Sequence, residues 1–327
     1  METNIIKDFL ELKSSNTAKA YERDIKDFFK TSSIEEVTLN DIKKVTSRTA
    51  EKYLKELNGR GIASSTINRK MSAVSSLFAW LLKHKEIDTN PFVSVKEEKP
   101  KTTNKETEFL TVTETETLLN SFNPTVLVEL RNKALLSLAF TTALRKSELI
   151  NIKLSNIKER GEFHVIEVTR KGGKKDIVKV QPQVLSLIKE YLSRTNRTLN
   201  SECDSYLFVG HSNNHQNGEK LSSPALNKMI KTACHKVGIT KNITVHSARH
   251  TAITLAIQGG ATIEKVRDFA SHSSIVTTNR YVHSVNKIED NASDFIQLNV
   301  VQGFVSQGIK NLIESVNPKG VGGVVAC

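Results

Sequence analysis

The chain has 327 residues, 38% of them hydrophobic, and its 47 Lys and Arg against 35 Asp and Glu give a formal net charge of +12. This length predicts two domains, and the basic surplus favours a polyanionic partner because Lys and Arg displace condensed counterions at phosphates. Three distant cysteines without a CxxC pair argue against a disulfide framework or a zinc site, and no apolar stretch reaches the ~20 residues of a membrane span.

The basic surplus is spread along the chain. Residues 1–105 hold 20 basic and 15 acidic residues, or +5, and the remainder holds 27 and 20, or +7. Two basic domains fit a clamp around a duplex better than a basic tail on a neutral body would. The charged residues 1–15 are unlike a signal peptide, so we expect a cytosolic protein with reduced thiols.

Residues 1–95 show the spacing of a helical domain. Residues 17–29 place their apolar side chains mostly on one face, and Ser64 and Ser65 are predicted to cap a later, long helix. The apolar stripe of that helix is Ile67, Met71, Val74, Leu77, Phe78 and Leu81. Arg69 and Lys70 fall off the stripe, so they either contact a nucleic-acid backbone or merely solvate the surface.

A polar segment at residues 96–107 predicts a linker, and a second domain follows over residues 108–299. A capping pattern begins at Thr113, and residues 131–141 predict a buried helix. Residues 163–168 and 177–180 are rich in β-branched side chains and flank a basic tip with two glycines, which predicts a β-hairpin. Further helices are predicted at 184–193, 224–237, 247–258, 263–270 and 277–282, so the fold class is mainly α with a small β-sheet.

Five short polar stretches of the second domain contain residue types that act on phosphate esters. They are residues 143–149 (ALRKSEL), 170–174 (RKGGK), 246–250 (HSARH), 271–274 (SHSS) and 280–283 (RYVH). Each is unspecific alone. Phosphodiester transfer needs an in-line nucleophile, cations on the non-bridging oxygens, a proton acceptor and a proton donor, and the set offers a residue for each.

Two arginines are the predicted phosphate clamp. The guanidinium groups of Arg145 and Arg249 stay charged and match two phosphate oxygens at once, although Arg145 could instead pair with Glu148. His246 lies three residues before Arg249 and on the same helix face, which makes it a candidate proton handler. Tyr281 is the predicted nucleophile, and its phenol, with an ordinary pKa of ~10, needs cationic neighbours to ionise.

This set resembles the catalytic signature of the tyrosine recombinases, the phage-integrase and Xer family. The resemblance covers roughly residues 5–285 and is strongest over 140–152 and 244–283. It implies that Tyr281 forms a 3′-phosphotyrosine, that Glu148 supports the site and that His272 hydrogen-bonds the scissile phosphate. It also implies that Lys171, on the hairpin, protonates the 5′-oxygen leaving group.

The hairpin tip offers rivals to Lys171. Arg170, Lys174 and Lys175 are equally basic, and a tip that enters a DNA groove would use several of them as phosphate contacts. The chain also departs from the family at two positions. Ala143 and Ser271 stand where the family commonly has glycine. The missing glycine at Ser271 affects the expected backbone geometry before His272, but the His272 imidazole stays in register with the family motif.

The resemblance further implies a helical core-binding domain ahead of the catalytic domain, no cofactor and no obligatory metal. The expected partner is double-stranded DNA with a specific recombination site. Four protomers would hold two such sites and exchange strands through a Holliday junction, in a cytoplasmic, nucleoid-associated protein without a membrane anchor. The biological task could be integration or excision of a mobile element, cointegrate resolution or chromosome dimer resolution.

Several alternatives stay open. A type IB topoisomerase shares this chemistry, and a catalytically silent DNA-binding protein could keep the fold. His211 and His215 lie in a polar loop without a third ligand, so a solvated loop is favoured over a metal site. Residues 300–327 predict an apolar-striped helix and a tail, and the helix docks either on a neighbouring protomer or in cis.

Overall fold

The computed structural model describes residues 4–101, 107–170, 172–200, 202–211 and 218–285. The chain divides into two units whose boundary lies between Lys105 and Glu106, within the predicted linker. The predicted domain limits at residues 95, 108 and 299 remain predictions. The segment 300–327, with its predicted helix, lies outside the described residues, as do Lys171 and His215.

The first unit is helical over its described residues, as predicted. A short 3₁₀-helix at Ile34–Glu36 separates the second and third α-helices. The α-helices are α1 (Ile5–Glu11), α2 (Ser15–Phe29), α3 (Leu39–Lys43), α4 (Ser47–Gly59) and α5 (Ser64–Lys83).

A capping box begins α3, whereas the predicted cap of α5 is wrong. At α3, the Thr38 hydroxyl accepts the Asp41 N–H at 3.2 Å and the Asp41 carboxylate accepts the Thr38 N–H at 3.1 Å. At α5, Ala63 has an extended backbone and is the N-cap residue, without a side-chain cap. Ser64 therefore already lies inside the helix and cannot cap it.

The core of the first unit is formed by the apolar stripe of α5 and by aromatic rings from its neighbours. All six predicted stripe residues are buried. The ring of Phe28 on α2 meets Tyr53 edge-on at 4.9 Å and Phe92 at 5.4 Å between centroids. Such edge-to-face pairs fix the orientation of helices that area burial alone would leave adjustable.

The second unit combines helices with one three-stranded sheet, which confirms the predicted fold class. Its α-helices are α6 (Val112–Asn120), α7 (Leu127–Thr142), α8 (Lys146–Ile150), α9 (Pro182–Ser193), α10 (Ser223–Lys236), α11 (Val245–Gln258), α12 (Ile263–Ala270) and α13 (Ile275–Val285). The strands are β1 (Ile157–Arg160), β2 (Phe163–Thr169) and β3 (Lys175–Val180), and a 3₁₀-helix lies at Leu154–Asn156.

Helix α7 is the central element of this unit. It is buried on nearly all sides, as predicted for residues 131–141, and packs against α9 and α11. Its predicted neighbour α6 begins earlier than expected. Glu114 accepts the Thr111 N–H at 2.8 Å, so the capping pair is Thr111 with Glu114, two residues before the predicted Thr113.

The sheet has the order β1-β2-β3 and is antiparallel throughout. Ile166 in the central strand pairs with Ile157 on one side and Val178 on the other, and β2 with β3 forms the predicted hairpin. Strand β1 escaped prediction because its sequence, Ile-Lys-Glu-Arg, is short and mostly charged. Gly172 and Gly173 at the tip have left-handed backbones, with φ of 85° and 79°, which only glycine adopts readily.

No helix within the described ranges is long and apolar enough to cross a bilayer.

Candidate active site

Arg145 lies at the junction between α7 and α8. Helix α7 ends at Ala143, which has a left-handed backbone with φ of 48° and ψ of 25°. The chain then turns so that Arg145 becomes the N-cap residue of α8. Ala143 occupies one of the two positions where the family has glycine, and its conformation accounts for that preference, since an L residue here is strained by about 1 kcal/mol.

Glu148 holds Arg145 in place. One carboxylate oxygen, Oε2, accepts the Arg145 backbone N–H at 2.8 Å, and the other, Oε1, accepts Arg145 Nη1 at 2.9 Å. Burial raises the pKa of Glu148, but these hydrogen bonds and the charges of Arg170 and Arg145 outweigh it and lower the pKa below its usual value. The alternative in which Arg145 pairs with Glu148 is thus observed, and 36% of the Arg145 side chain is still exposed for a ligand.

Arg249 on α11 joins two helix ends. It is only 4% exposed, and its Nη1 and Nη2 groups donate to the backbone carbonyls of Ala143 and Ala270. Those carbonyls belong to the ends of α7 and α12, where helix carbonyls otherwise lack partners. Burial, and then the nearby charge of Arg145, lower the pKa of Arg249 to about 10. The effect of the Arg145 charge on this pKa indicates that the two guanidinium groups lie in the same part of the unit.

His272 follows the second departure from the family pattern. Ser271 has a left-handed backbone, with φ of 47° and ψ of 49°, so the position where the family has glycine again requires a conformation that glycine favours. His272 Nδ1 lies 3.0 Å from the hydroxyl of Thr278, a fully buried residue of α13. This contact orients the imidazole from within the protein and leaves its other nitrogen for a ligand.

Tyr281 on α13 lies between two imidazoles. Its ring centroid is 5.0 Å from that of His250 and 5.9 Å from that of His272. His250 in turn places its Nε2 3.2 Å from Nε2 of His246, one helical turn earlier on α11. The phenol, three imidazoles and the Arg249 guanidinium therefore form one cluster, and Tyr281 also packs on an apolar patch that includes Ala252 and Ile253.

The cluster is electropositive. Burial and the charges of Arg249 and Arg145 lower the pKa of His272 to about 4. Burial, the charge of His246 and the charge of Arg249, in that order, lower the pKa of His250 to about 4. The pKa of His246 is lowered as well, by burial and by Arg249. Neutral imidazoles beside two guanidinium groups form a place that attracts an anion and can still accept a proton.

The basic residues of the hairpin are not equivalent. The Arg170 side chain is 5% exposed and donates to Glu148 at 2.7 Å and to Asp176 at 3.0 Å, so it is not available as the surface phosphate contact that was predicted. Lys174 and Lys175 are exposed. Lys174 lines a cavity of about 520 Å³ together with Arg145 and His272, next to the cluster.

The predicted basic residues of the first unit are tied to carboxylates. Arg69 pairs with the buried Asp24, and Lys70 lies 3.5 Å from Asp24 and 3.1 Å from Asp27. The Lys70 side chain is 13% exposed, whereas that of Arg69 is 41% exposed. Arg69 therefore retains an accessible face for a phosphate, and the ammonium of Lys70 is largely committed to the fold.

Four residues of this site escaped prediction. His250 could have been found from its spacing, because it lies four residues after His246 on one helix face. Thr278, Asp176 and Ser271 contribute through hydrogen bonds between different elements, which no local sequence pattern predicts. Within the described ranges, no three His, Cys, Asp or Glu side chains are grouped closely enough to hold a metal ion.

The neutral histidines predict an acid-sensitive catalytic unit. His250 and His272 have a pKa of about 4 in the folded protein and an ordinary value near ~6.5 when unfolded, so the unfolded state binds more protons between these limits. We expect the apparent Tm to fall as pH is lowered from about 6.5 towards 4, and to fall less in His250→Gln. Thermal denaturation across this range measures both, and an unchanged pH dependence in the variant would contradict the assignment.

Comparisons with known sequences give matches in both units of the chain. The phage integrase family matches residues 108–287, and the N-terminal SAM-like domain of phage integrases matches residues 9–85. Tyrosine recombinase XerD of Halalkalibacterium halodurans is 32% identical over 271 residues, covering 83% of this chain and 87% of that protein. Tyrosine recombinase XerC of Leptospira interrogans is 29% identical, covering 84% of each chain.

Solved structures share the fold. A XerH site-specific recombinase bound to a palindromic difH substrate, in a post-cleavage complex, aligns with a TM-score of 0.61 at 21% identity, covering 82% of this chain and 76% of that one. The Tn1549 transposon integrase in complex with circular intermediate DNA aligns with a TM-score of 0.62 at 17% identity, covering 85% and 93%. With the family match over more than half of its length, the chain belongs to the phage integrase family, the tyrosine recombinases.

Proposed function

We propose that this protein is a site-specific DNA recombinase that cuts and rejoins strands through Tyr281. The observation that carries the proposal is the convergence of Arg145, Arg249 and Tyr281, which are far apart in sequence, at one electropositive cluster. Two guanidinium groups can neutralise the non-bridging oxygens of one phosphate, and a phenol beside them is the nucleophile.

The proposed reaction proceeds in two reversible steps. The Tyr281 oxygen attacks phosphorus, the bond from phosphorus to the 5′-oxygen breaks, and a 3′-phosphotyrosine and a 5′-hydroxyl result. The phenol proton passes to the neutral imidazole pair of His246 and His250, and the leaving oxygen takes a proton from an acid, for which Lys171 is the predicted donor. A second 5′-hydroxyl then attacks the phosphotyrosine and releases Tyr281.

Each remaining group has a proposed role in that reaction. Arg145 and Arg249 bind the developing negative charge, and His272 donates its free ring N–H to a phosphate oxygen. Glu148 orients Arg145 through its two hydrogen bonds. The bond energy is kept in the phosphotyrosine, so the exchange consumes no nucleotide.

Double-stranded DNA is the proposed partner. The solved relatives are described as complexes with DNA substrates, and both units of this chain carry a net positive charge. The exposed Lys174, Lys175 and Arg69 are proposed backbone contacts. A cytoplasmic, nucleoid-associated protein that serves a mobile element or resolves chromosome dimers fits such a partner.

The direct test starts from DNA that flanks the gene. Footprinting identifies the bound site, and a duplex with that site and a nick near the cleavage position then traps the covalent intermediate. We expect a protein–DNA adduct and, on a plasmid with two sites, deletion or inversion between them. Relaxation of a supercoiled plasmid without any site would favour the topoisomerase alternative, and binding without any adduct would favour the silent DNA-binding protein.

A homotetramer on two DNA sites is proposed with the residues after 300 as a coupling segment. Deleting those residues is expected to reduce formation of the two-site complex more than binding to one site, because a segment that docks on a neighbour contributes only in the assembly. Native gel shifts and light scattering measure the two species. Equal loss of both complexes would contradict the coupling role.

A further inference from the structure

A chain of partly buried polar contacts runs from the segment that carries His272 to Arg145. The Ser271 hydroxyl donates to Asp176 Oδ2, which also accepts Arg170 Nε at 3.0 Å. Arg170 Nη1 then donates to Glu148 Oε2 at 2.7 Å, and Glu148 Oε1 accepts Arg145 Nη1 at 2.9 Å. We call Ser271, Asp176, Arg170, Glu148 and Arg145 the ionic chain.

The middle of the ionic chain is shielded from water. The side chains of Arg170 and Glu148 are 5% and 6% exposed, and that of Asp176 is 30% exposed. A buried guanidinium between two carboxylates has a fixed geometry, because loss of either partner leaves an uncompensated charge. Movement at Asp176 is thereby transmitted through Arg170 to Glu148.

The ionic chain connects three separate parts of the catalytic unit. Ser271 ends α12 immediately before His272, Asp176 and Arg170 belong to the β2–β3 hairpin, and Glu148 belongs to α8. The cavity of about 520 Å³ beside the cluster is lined by members of all three parts. The ionic chain therefore fixes the two sides of this cavity relative to one another.

We propose that Asp176 and Ser271 are positioning residues for strand cleavage, which hold Arg170 against Glu148 and so set Arg145 and His272 at a fixed separation around the scissile phosphate. This inference rests on the proposed recombinase function. It goes beyond the support that Glu148 gives Arg145, because neither Asp176 nor Ser271 contacts Arg145 itself.

Asp176→Asn tests the charged link, and Asp268→Asn is its matched control. Asp268 lines the same cavity, and its carboxylate pairs with the neighbouring Arg267, so Asp268→Asn removes one negative charge without changing a side-chain contact of the ionic chain. We expect Asp176→Asn to cleave a nicked site roughly 10- to 100-fold more slowly in single turnover at an unchanged Kd for that DNA, since small displacements of catalytic groups cost this much. Asp268→Asn is expected to cleave at the wild-type rate.

Two substitutions of Ser271 distinguish the effect of its hydroxyl from the effect of its left-handed backbone conformation. Ser271→Gly relieves the left-handed conformation and Ser271→Ala does not, but both remove the bond to Asp176. Both are expected to slow cleavage, with Ser273→Ala, an exposed neighbour, as control. Combined with Asp176→Asn, neither should slow the reaction much further, because both changes break the same contact. A Ser271→Gly variant that cleaves as fast as wild type would contradict a role for the hydroxyl.

A substrate with a methylphosphonate at the scissile position distinguishes positioning from general loosening. Replacing one charged oxygen with methyl reduces the demand on the Arg145 clamp, so the rate difference between Asp176→Asn and wild type should narrow. A difference that persists on this substrate, or equal rates for Asp176→Asn and Asp268→Asn, would overturn the positioning role while leaving the recombinase function intact. Absence of any wild-type adduct would instead overturn the proposed function.

Discussion

Tyr281→Phe is expected to abolish the covalent protein–DNA adduct while DNA binding stays at the wild-type level. This substitution removes only the hydroxyl group. Loss of a nucleophile typically costs on the order of 10⁶-fold in rate. The ring keeps its packing against His250 and His272, so the fold of the site is retained. A nicked substrate run on a denaturing gel shows the adduct as a slower band.

Tyr206→Phe is the matched control for that experiment. Tyr206 is half-buried in the same unit and lies beneath the ammonium of Lys220, away from the cluster. This variant should form the adduct at the wild-type rate. An adduct that persists in Tyr281→Phe would assign the nucleophile to another residue and would reject the proposed mechanism.

Arg249→Lys is expected to lose both activity and stability, although the formal charge is kept. A lysine ammonium cannot donate to the Ala143 and Ala270 carbonyls in the fork geometry of a guanidinium. Two buried charge-assisted hydrogen bonds are worth about 3 kcal/mol together. We expect the Tm of the catalytic unit to fall by on the order of 10 °C, and the cleavage rate to fall roughly 10²- to 10³-fold.

The chain offers a control for Arg249→Lys. Arg197 also donates to two backbone carbonyls, those of Tyr206 at 2.9 Å and Leu207 at 3.3 Å. Neither of these residues belongs to the cluster. Arg197→Lys should lower the Tm without slowing single-turnover cleavage of the nicked DNA by the remaining folded protein. If both variants lose activity in proportion to stability, Arg249 has no separate catalytic role.

The grouping of Arg145, Arg249 and Tyr281 in one site was expected from the resemblance of their motifs to those of the tyrosine recombinases. Helical spacing places His246 and Arg249 on one face of α11. The apolar stripe of α5 was predictable for the same reason. Packing of amphipathic elements thus accounts for much of the fold.

The contacts between elements could not be predicted. The hairpin sequence contains four cations, at residues 170, 171, 174 and 175. Nothing local distinguishes Arg170, which is buried, from Lys174, which is exposed. That difference depends on Glu148 and Asp176, which approach Arg170 from α8 and β3. The bond from Ser271 to Asp176 spans 95 residues and leaves no periodic trace.

The left-handed conformations of Ala143 and Ser271 could not be predicted from the sequence either. Sequence alone marks Ala143 and Ser271 as departures from glycine, but only the backbone shows that both sit at helix ends. Arg249 donates to the carbonyl of Ala143 itself and to that of Ala270, the residue before Ser271. The strain at both positions is therefore offset by contacts that the helices cannot make by themselves.

The dual engagement of Arg249 also constrains how this protein can change over evolutionary time. A guanidinium that closes two helix ends cannot be discarded when catalysis is no longer needed, because the domain would be weakened along with it. A descendant that keeps only the ability to bind DNA should therefore retain the buried arginine long after strand cutting has ceased.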